Sequence, residues 1–596
     1  MRLKTLSLGI LTAAVLASLQ ATPAAAAPPG LAASFASATT TQDVALAAPM
    51  PATDGTRAEP SPARAAPRFE VTVAPEAHAG PLTGRLIVAI SNRESPEPRL
   101  LISPRGPAIF AVDLEGFRPG AVAVVDDRAI SYPFDLPELP PGEYWAQAII
   151  NVYEQVRRAD GHTLWLPMND GRQEPFNAKA GNLYSDVQRF VVGEDRTVRL
   201  EVRHVIPQRD LPPDTEWIKR VKIQSRLLTE FWGRPIYIHA TVLLPKGFDE
   251  NPNVRYPAIY TFGHNVPFGF TTDSTRVRGL GRIDPVTGVE TGYDFYKSWI
   301  ADDFPRVVAI SFQQQTPYFP DSYSTNSANN GPYEDALLKE VIPYLEERFR
   351  LIPEPYARIV EGASTGGWQA LALQLRNPDF FGGAWVLQPD PIDFRRYLLV
   401  NIYEDENAFE VQEGMFTKAE RPFRRTVEGQ VVWTMRQLSR FEAVLGSRGR
   451  SGYQLNGWES VYGPVGEDGY PKPLWDPLTG KIDRDVAHYM RDNGYDLRAY
   501  AEREWARIGP KLAGKLHFFV PDMDDFYLNV AMYLFEDFLE GVTNPSHEPS
   551  FTYGRPKKGH SWHAYTWAET VRQMAAHIRR NAPAGASAAW WPTADR

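Results

Sequence analysis

The sequence predicts an all-β sandwich of immunoglobulin-like type over residues 67–205, followed by an α/β fold over 214–582. Three observations carry that expectation. Seven short strand-like runs, with Gly and Pro between them, crowd the first span. In the second, apolar runs of strand length alternate with helical periodicity, as in a mostly parallel sheet covered by helices. Composition allows both: 596 residues, 43% hydrophobic and 23% charged, is ordinary globular usage with chain enough for several domains of roughly 150 residues.

Residues 1–26 read as an export signal. Arg2 and Lys4 precede the apolar run Leu6 to Leu19, and Ala24 to Ala27 offer small residues for cleavage. The cut is placed after Ala26, because Pro28 is a poor residue to leave directly behind it. The run is 14 residues long, short of the roughly 20 that a spanning helix needs. The plain alternative is a buried amino-terminal helix. With no longer apolar run downstream, the expectation is a soluble protein, secreted or periplasmic. Its net charge of −9 becomes −11 once Arg2 and Lys4 leave. Residues 27–66, rich in Ala, Pro, Ser and Thr, read as a disordered linker.

Within the sandwich the candidate strands are 69–73, 82–90, 108–112, 121–125, 142–152, 187–192 and 198–202. Tyr144, Ala146, Ala148 and Ile150 alternate with Glu143, Trp145, Gln147 and Ile149, which suits one face packed inward. The loop Leu166 to Phe176 could touch a ligand, although a connecting loop is the plainer reading. No chemistry is evident in this half.

From 214 onward the strand candidates are 236–244, 257–262, 306–312, 357–360, 384–387, 516–520 and 551–553. A helix is expected to open at Gly331-Pro332, with Leu337, Leu338, Val341, Ile342 and Leu345 as its apolar side. Glu334 and Asp335 suit its positive end, and Pro343 should kink it. A last helix over 564–580 aligns Trp567, Val571, Met574 and Ile578. Two Asp-Pro-x-Thr-Gly segments, Asp284 to Gly288 and Asp476 to Gly480, read as tight turns. Residues 395–509 interrupt the alternation and read as an insertion over the pocket.

Composition also excludes chemistry. With 63 Lys plus Arg against 72 Asp plus Glu, the chain lacks the basic stripe that nucleic acid requires. The absence of cysteine removes disulfides, thiolate zinc sites and a cysteine nucleophile. An exported chain without disulfides must rest on core burial, which its length and its 15 Trp, 26 Tyr and 30 Phe allow.

The strongest signal is Gly362-Ala363-Ser364-Thr365-Gly366-Gly367, between the strand Arg358-Ile-Val360 and the helical Trp368 to Leu375. Strand, Gly-x-Ser-x-Gly turn and helix are the context of a nucleophile elbow. A tight turn brings strand and helix backbones together, where a side chain at 362 or 366 would collide. The same turn lifts the Ser364 hydroxyl and sets the Thr365 N–H beside it, at a helix end that favours negative charge. The plainer reading is a glycine-rich loop.

A serine hydroxyl needs a base held by a carboxylate. After strand 516–520 comes Pro521-Asp522-Met523-Asp524-Asp525, and after 551–553 comes Gly559-His560-Ser561-Trp562-His563. The order Ser, acid, His fits Ser364, Asp524 and His560. Asp522 and Asp525 are alternative acids, as are Asp390 and Asp393, each of which could instead cap a turn. The triple carboxylate could bind calcium, though no oxygen-rich partner loop is obvious and no metal is assigned. His563 could replace His560, while His517 lies inside a strand and reads as a core histidine. The second oxyanion donor is expected after strand 257–262, from the backbone N–H of His264 or Asn265 in Gly263-His264-Asn265-Val266; an ordinary turn is the alternative.

Together these residues resemble the esterase D / enterochelin-esterase-like branch of the α/β-hydrolases. Asn326-Ser-Ala-Asn-Asn330-Gly-Pro, a helix ending Glu347-Arg-Phe-Arg350, the elbow, and Asn377-Pro-Asp-Phe-Phe-Gly-Gly383 follow that branch's run in order, over about 215–582. The resemblance implies an α/β-hydrolase sheet and a Ser–His–Asp site, matching Ser364 to the nucleophile, His560 to the base and Asp524 to the acid. The branch contains carboxylesterases, feruloyl and acetyl-xylan esterases and mycolyltransferases. The expectation is an exported serine esterase acting on a small-molecule or glycan-linked ester without a cofactor. A serine peptidase or acyltransferase would share the triad, and a catalytically silent glycan-binding protein would keep only the fold.

Overall fold

The computed structural model describes residues 66–263, 266–275, 290–542 and 548–592. The expected export signal and most of the linker lie outside those residues, as does the turn Asp284 to Gly288. Ten strands make up the amino-terminal region: β1 Arg68–Val73, β2 Leu82–Ser91, β3 Ala108–Phe117, β4 Ala123–Val125, β5 Ile130–Tyr132, β6 Gly142–Arg157, β7 Thr163–Leu166, β8 Leu183–Ser185, β9 Gln188–Val192 and β10 Thr197–Val205. The seven expected strands are among them. The three additions, β5, β7 and β8, span three or four residues each, too few for an alternating pattern to stand out.

The strands pair in the order β4-β1-β10-β8-β6-β2-β3-β5, with β7 and β9 also on β6. The β1–β10 pair is parallel and β2 lies antiparallel to both β3 and β6. Phe69 and Val71 of β1, Leu86 and Val88 of β2, Ala148 of β6 and Leu200 of β10 share one buried cluster, so distant parts of this path face a common core. The expectation of a single inward face on β6 needs correcting. Ile149, with Ile87, Ala89, Ile109 and Ala111, points the opposite way and joins the core of the carboxyl-terminal region. Both faces of β2 are consequently covered.

The second sheet contains β11 Ile218–Ser225, β12 Ile236–Leu243, β13 Ala258–Phe262, β14 Val308–Gln313, β15 Arg358–Ser364, β16 Gly383–Pro389, β17 Leu516–Pro521 and β18 Ser550–Gly554. Its order is β11-β12-β14-β13-β15-β16-β17-β18. β12 is antiparallel to β11 and β14, and every other neighbour is parallel. This is an α/β-hydrolase-like sheet. Its middle strands are buried along nearly their whole length, which explains why they read as unbroken apolar runs. β11 escapes that signal because it is an edge strand bearing Lys219, Arg220 and Lys222, charges that guard an edge against mispairing.

The helix expected after Gly331-Pro332 runs from Tyr333 to Arg348, with a π-helical middle over Leu337–Val341. Pro343 has no N–H to donate one turn back, and just before it the Ile342 N–H reaches five residues back to Leu337 O. Between β16 and β17 lie two hairpins and the helices Met435–Leu445, Gln454–Tyr462, Arg484–Asp492 and Leu497–Ile508. The last helix, Trp567–Asn581, starts at Thr566 with a capping box to Glu569. Among the described residues no helix is long and apolar enough to cross a membrane.

Polar contacts seal the two regions together. Arg85 of β2 donates to the Val444 and Ala443 carbonyls at 3.0 Å each. The loop Leu166 to Phe176 docks on the second sheet and on the loop after β14: the His239 ring of β12 meets Asp170 O at 2.9 Å, and Gln173 donates to Pro320 O at 2.8 Å.

Candidate active site

Ser364 ends β15 and precedes the helix Thr365–Arg376, with φ 57° and ψ −121°. A non-glycine residue at positive φ is strained, and the glycines around it show what enforces the strain. A Cβ on Gly362 would lie 2.5 Å from the Gly366 backbone, and one on Gly366 only 1.7 Å from Phe262 O. The strand, helix and neighbouring strand close in until only glycine fits. β13 runs alongside in register, Phe262 beside Gly362. The loop starting at Gly263 therefore leaves the sheet next to the elbow. Its two expected oxyanion donors, His264 and Asn265, lie outside the described residues. Thr365 opens the helix, where backbone N–H groups have no partner within the helix.

The three neighbouring aspartates after β17 divide their work. Asp522 accepts from the backbone N–H groups of Lys557 and Lys558, at 3.1 and 2.8 Å. Asp525 accepts from His560 N–H at 3.0 Å and pairs with Arg424 at 3.1 Å. Asp524, fully buried, meets His560 Nδ1 at 2.7 Å through Oδ2, while its Oδ1 accepts from Phe526 and Leu528 N–H at 2.8 and 3.2 Å. Of the three, Asp524 is thus the one that holds the imidazole.

Burial alone would depress the His560 pKa. The carboxylates of Asp524, Asp525 and Asp390 more than offset it and hold the ring above its ordinary value. His563 lies against the Trp567 ring, at 4.6 Å between centroids. Burial, with the nearby His560 charge, pulls it down to about 4. His517 contacts Ser550 Oγ at 2.8 Å and packs on Trp385, in keeping with a core histidine. Asp393 caps a short turn and pairs with Arg395.

The Ser364 hydroxyl donates to Asp390 Oδ1 at 3.0 Å. Asp390 follows β16, is 3% exposed, and takes further bonds at Oδ2 from Tyr323 OH, Thr365 Oγ1, Gln454 Nε2 and Trp458 Nε1. The adjoining Gln388 donates to His560 O at 2.7 Å, tying this turn to the histidine loop. From sequence Asp390 reads as an alternative acid, whereas its side chain bonds the serine and not the imidazole ring. Tyr323, Gln454 and Trp458 carry no sequence signal of a site. Neither does Arg425, which donates to Asp524 O at 2.9 Å and to Asn529 at 3.2 Å. The one cue available for Tyr323 is its positive φ of 57°, which only the structure reveals.

Residues 236–426 match the model of the family described as "Putative esterase", a stretch that runs from β12 through the elbow and stops before Asp524 and His560. Among solved structures, a ferulic acid esterase aligns at 15% identity and TM-score 0.30, covering 61% of this chain and 98% of its own. The fluorophosphonate-binding serine hydrolase F of Staphylococcus aureus gives the same four values. An S-formylglutathione hydrolase from Agrobacterium tumefaciens aligns at 12% identity and TM-score 0.30, covering 62% and 98%. No curated protein matches the chain. With its sheet order, its elbow and this family match, the carboxyl-terminal region carries an esterase-family domain of α/β-hydrolase type, the domain of a carboxylic-ester hydrolase.

Proposed function

We propose that the protein is an exported serine hydrolase that cleaves carboxylic esters through Ser364, His560 and Asp524. One observation supports this most: a buried carboxylate grips an imidazole at 2.7 Å on loops at the same sheet edge as an elbow serine. In the reaction, Ser364 Oγ attacks the ester carbonyl carbon and its proton passes to His560 Nε2. Asp524 accepts from Nδ1–H, which fixes the tautomer and stabilises the imidazolium. The Thr365 N–H and the loop Gly263 to Asn265 receive the developing oxyanion. His560 then protonates the leaving alcohol, and water attacks the acyl-enzyme with His560 again as base.

The substrate in this reading is a small-molecule or glycan-linked ester. Residues 1–26 direct export, 67–205 form an immunoglobulin-like sandwich, and 395–509 are an insertion into the hydrolase domain at 214–582. Incubation with a fluorophosphonate probe and with p-nitrophenyl esters tests the chemistry. Wild-type protein should label and turn over, and S364A should do neither. A folded wild type that stays unlabelled and inert would overturn the proposal.

A further inference from the structure

Among the buried carboxylates that the mechanism above leaves unused, Asp390 is bonded to the nucleophile itself. Asp390 is as enclosed as Asp524, and burying a charge costs several kcal/mol unless it is well paired. Its partners are arranged unequally. Gln454 Nε2 and Trp458 Nε1 approach Oδ2 at 3.0 and 3.3 Å, and both also donate to Tyr323 OH, at 2.6 and 2.7 Å. An amide N–H, an indole N–H and the Tyr323 and Thr365 hydroxyls thus converge on one oxygen. The other oxygen faces Ser364. The backbone repeats the link, since Asp390 N–H donates to Ser364 O at 3.0 Å.

We propose that Asp390 is a further catalytic residue, one that takes the Ser364 hydroxyl in the resting enzyme, sets the nucleophile's rotamer, and supports the imidazolium formed when His560 removes the Ser364 proton. The inference rests on the Ser364 hydrolase reading. No bond changes at Asp390 itself: the proton goes from Oγ to His560, and the carboxylate contributes charge and position. Among the described residues, the ionisable groups acting on it include Tyr323, Tyr397, Tyr462, Asp321 and His560, and of these His560 becomes cationic. Burial raises the Asp390 pKa, while the bonds from Tyr323, Thr365 and Ser364 and the His560 charge oppose that rise. Gln454 and Trp458 belong to the long segment between β16 and β17, which thereby takes part in holding the nucleophile.

The test is D390N, which keeps the shape and removes the charge. The converging N–H donors of Gln454 and Trp458 demand an oxygen, so the amide NH2 would turn to Ser364 and replace an acceptor with a donor. Expected are a fall in kcat of about ten- to hundredfold with KM within about twofold. Fluorophosphonate labelling should slow equally, and the acid limb of the kcat/KM profile should move to lower pH. Q454A, which leaves Ser364 untouched, should shift both readouts the same way by less, and it decides the matter if D390N does not fold. A merely structural Asp390 would lower the melting temperature and leave the acid limb in place, which would overturn the proposal, as would wild-type kinetics in D390N. Failure of wild type to label would instead strike the hydrolase reading itself.

Discussion

The elbow and the long segment between β16 and β17 meet around Ser364, yet the chain specifies them by different means. The elbow's signal is local: Gly362, Ser364 and Gly366 lie within five residues, and a Cβ on either glycine would fall 2.5 Å from the Gly366 backbone or 1.7 Å from Phe262 O. The segment works from afar. Gln454 and Trp458 reach Asp390 across 64 and 68 residues of chain, and Arg425 reaches Asp524 O across 99. Steric necessity is written in neighbouring residues, whereas the electrostatics of the site is assembled from side chains that meet only after folding. Changes at the elbow glycines should therefore couple stability to activity, and changes in the segment should separate the two.

S364A is the sharpest way to break that comparison. It removes the nucleophile and leaves the backbone alone, so kcat should fall on the order of 10⁶-fold with an unchanged melting temperature. Substantial residual turnover would place the nucleophile elsewhere. D524N comes next. The imidazole loses its charged acceptor, and a fall of about 10⁴-fold in kcat is expected in steady-state assays. G366A tests the steric side. With Phe262 O only 1.7 Å from the new Cβ, the strand and helix must part, at a cost of roughly 3 kcal/mol or more in denaturant unfolding. A wild-type unfolding midpoint would refute the close-approach argument.

R425A sharpens the long-range side. Loss of the bonds to Asp524 O and Asn529 should lower kcat about three- to tenfold, well short of D524N, because the Asp524 carboxylate keeps the ring. The smallest effect is a displacement along the pH axis. His560 must be neutral to act as base, and it is idle below its pKa. Its carboxylate neighbours hold that pKa above the ordinary value of about 6.5, so kcat/KM should still be rising as pH passes 6.5. A profile already flat below that point would contradict the raised value.

Legibility in the sequence follows the same division. The buried parallel strands are readable because both faces are apolar, while β11 hides behind its charges and β5, β7 and β8 behind their brevity. Ser364 announces itself through two glycines whose absence of a side chain has a stated purpose. Choosing among Asp522, Asp524 and Asp525 is harder. All three follow the same strand, and only the folded turn decides that one faces a ring while the others hold backbone N–H groups. Asp390 reads as an alternative acid, but its partner depends on where Ser364 Oγ points. Gln454, Trp458 and Arg425 resemble any polar or aromatic residues of a helix or hairpin, so no spacing could single them out.

The doubly covered strand β2 carries a consequence for how this chain can change. Leu86 and Val88 face one hydrophobic core while Ile87 and Ala89 enter the other, and Arg85 bonds the carbonyls of Ala443 and Val444. A chain trimmed to begin after β10 would lay bare an oily wall and strand two carbonyls, a surface prone to clumping. Grafting a foreign front half would need to match that wall residue for residue. New substrate preferences are therefore easier to reach by altering the hairpins and helices between β16 and β17 than by exchanging the modules ahead of them.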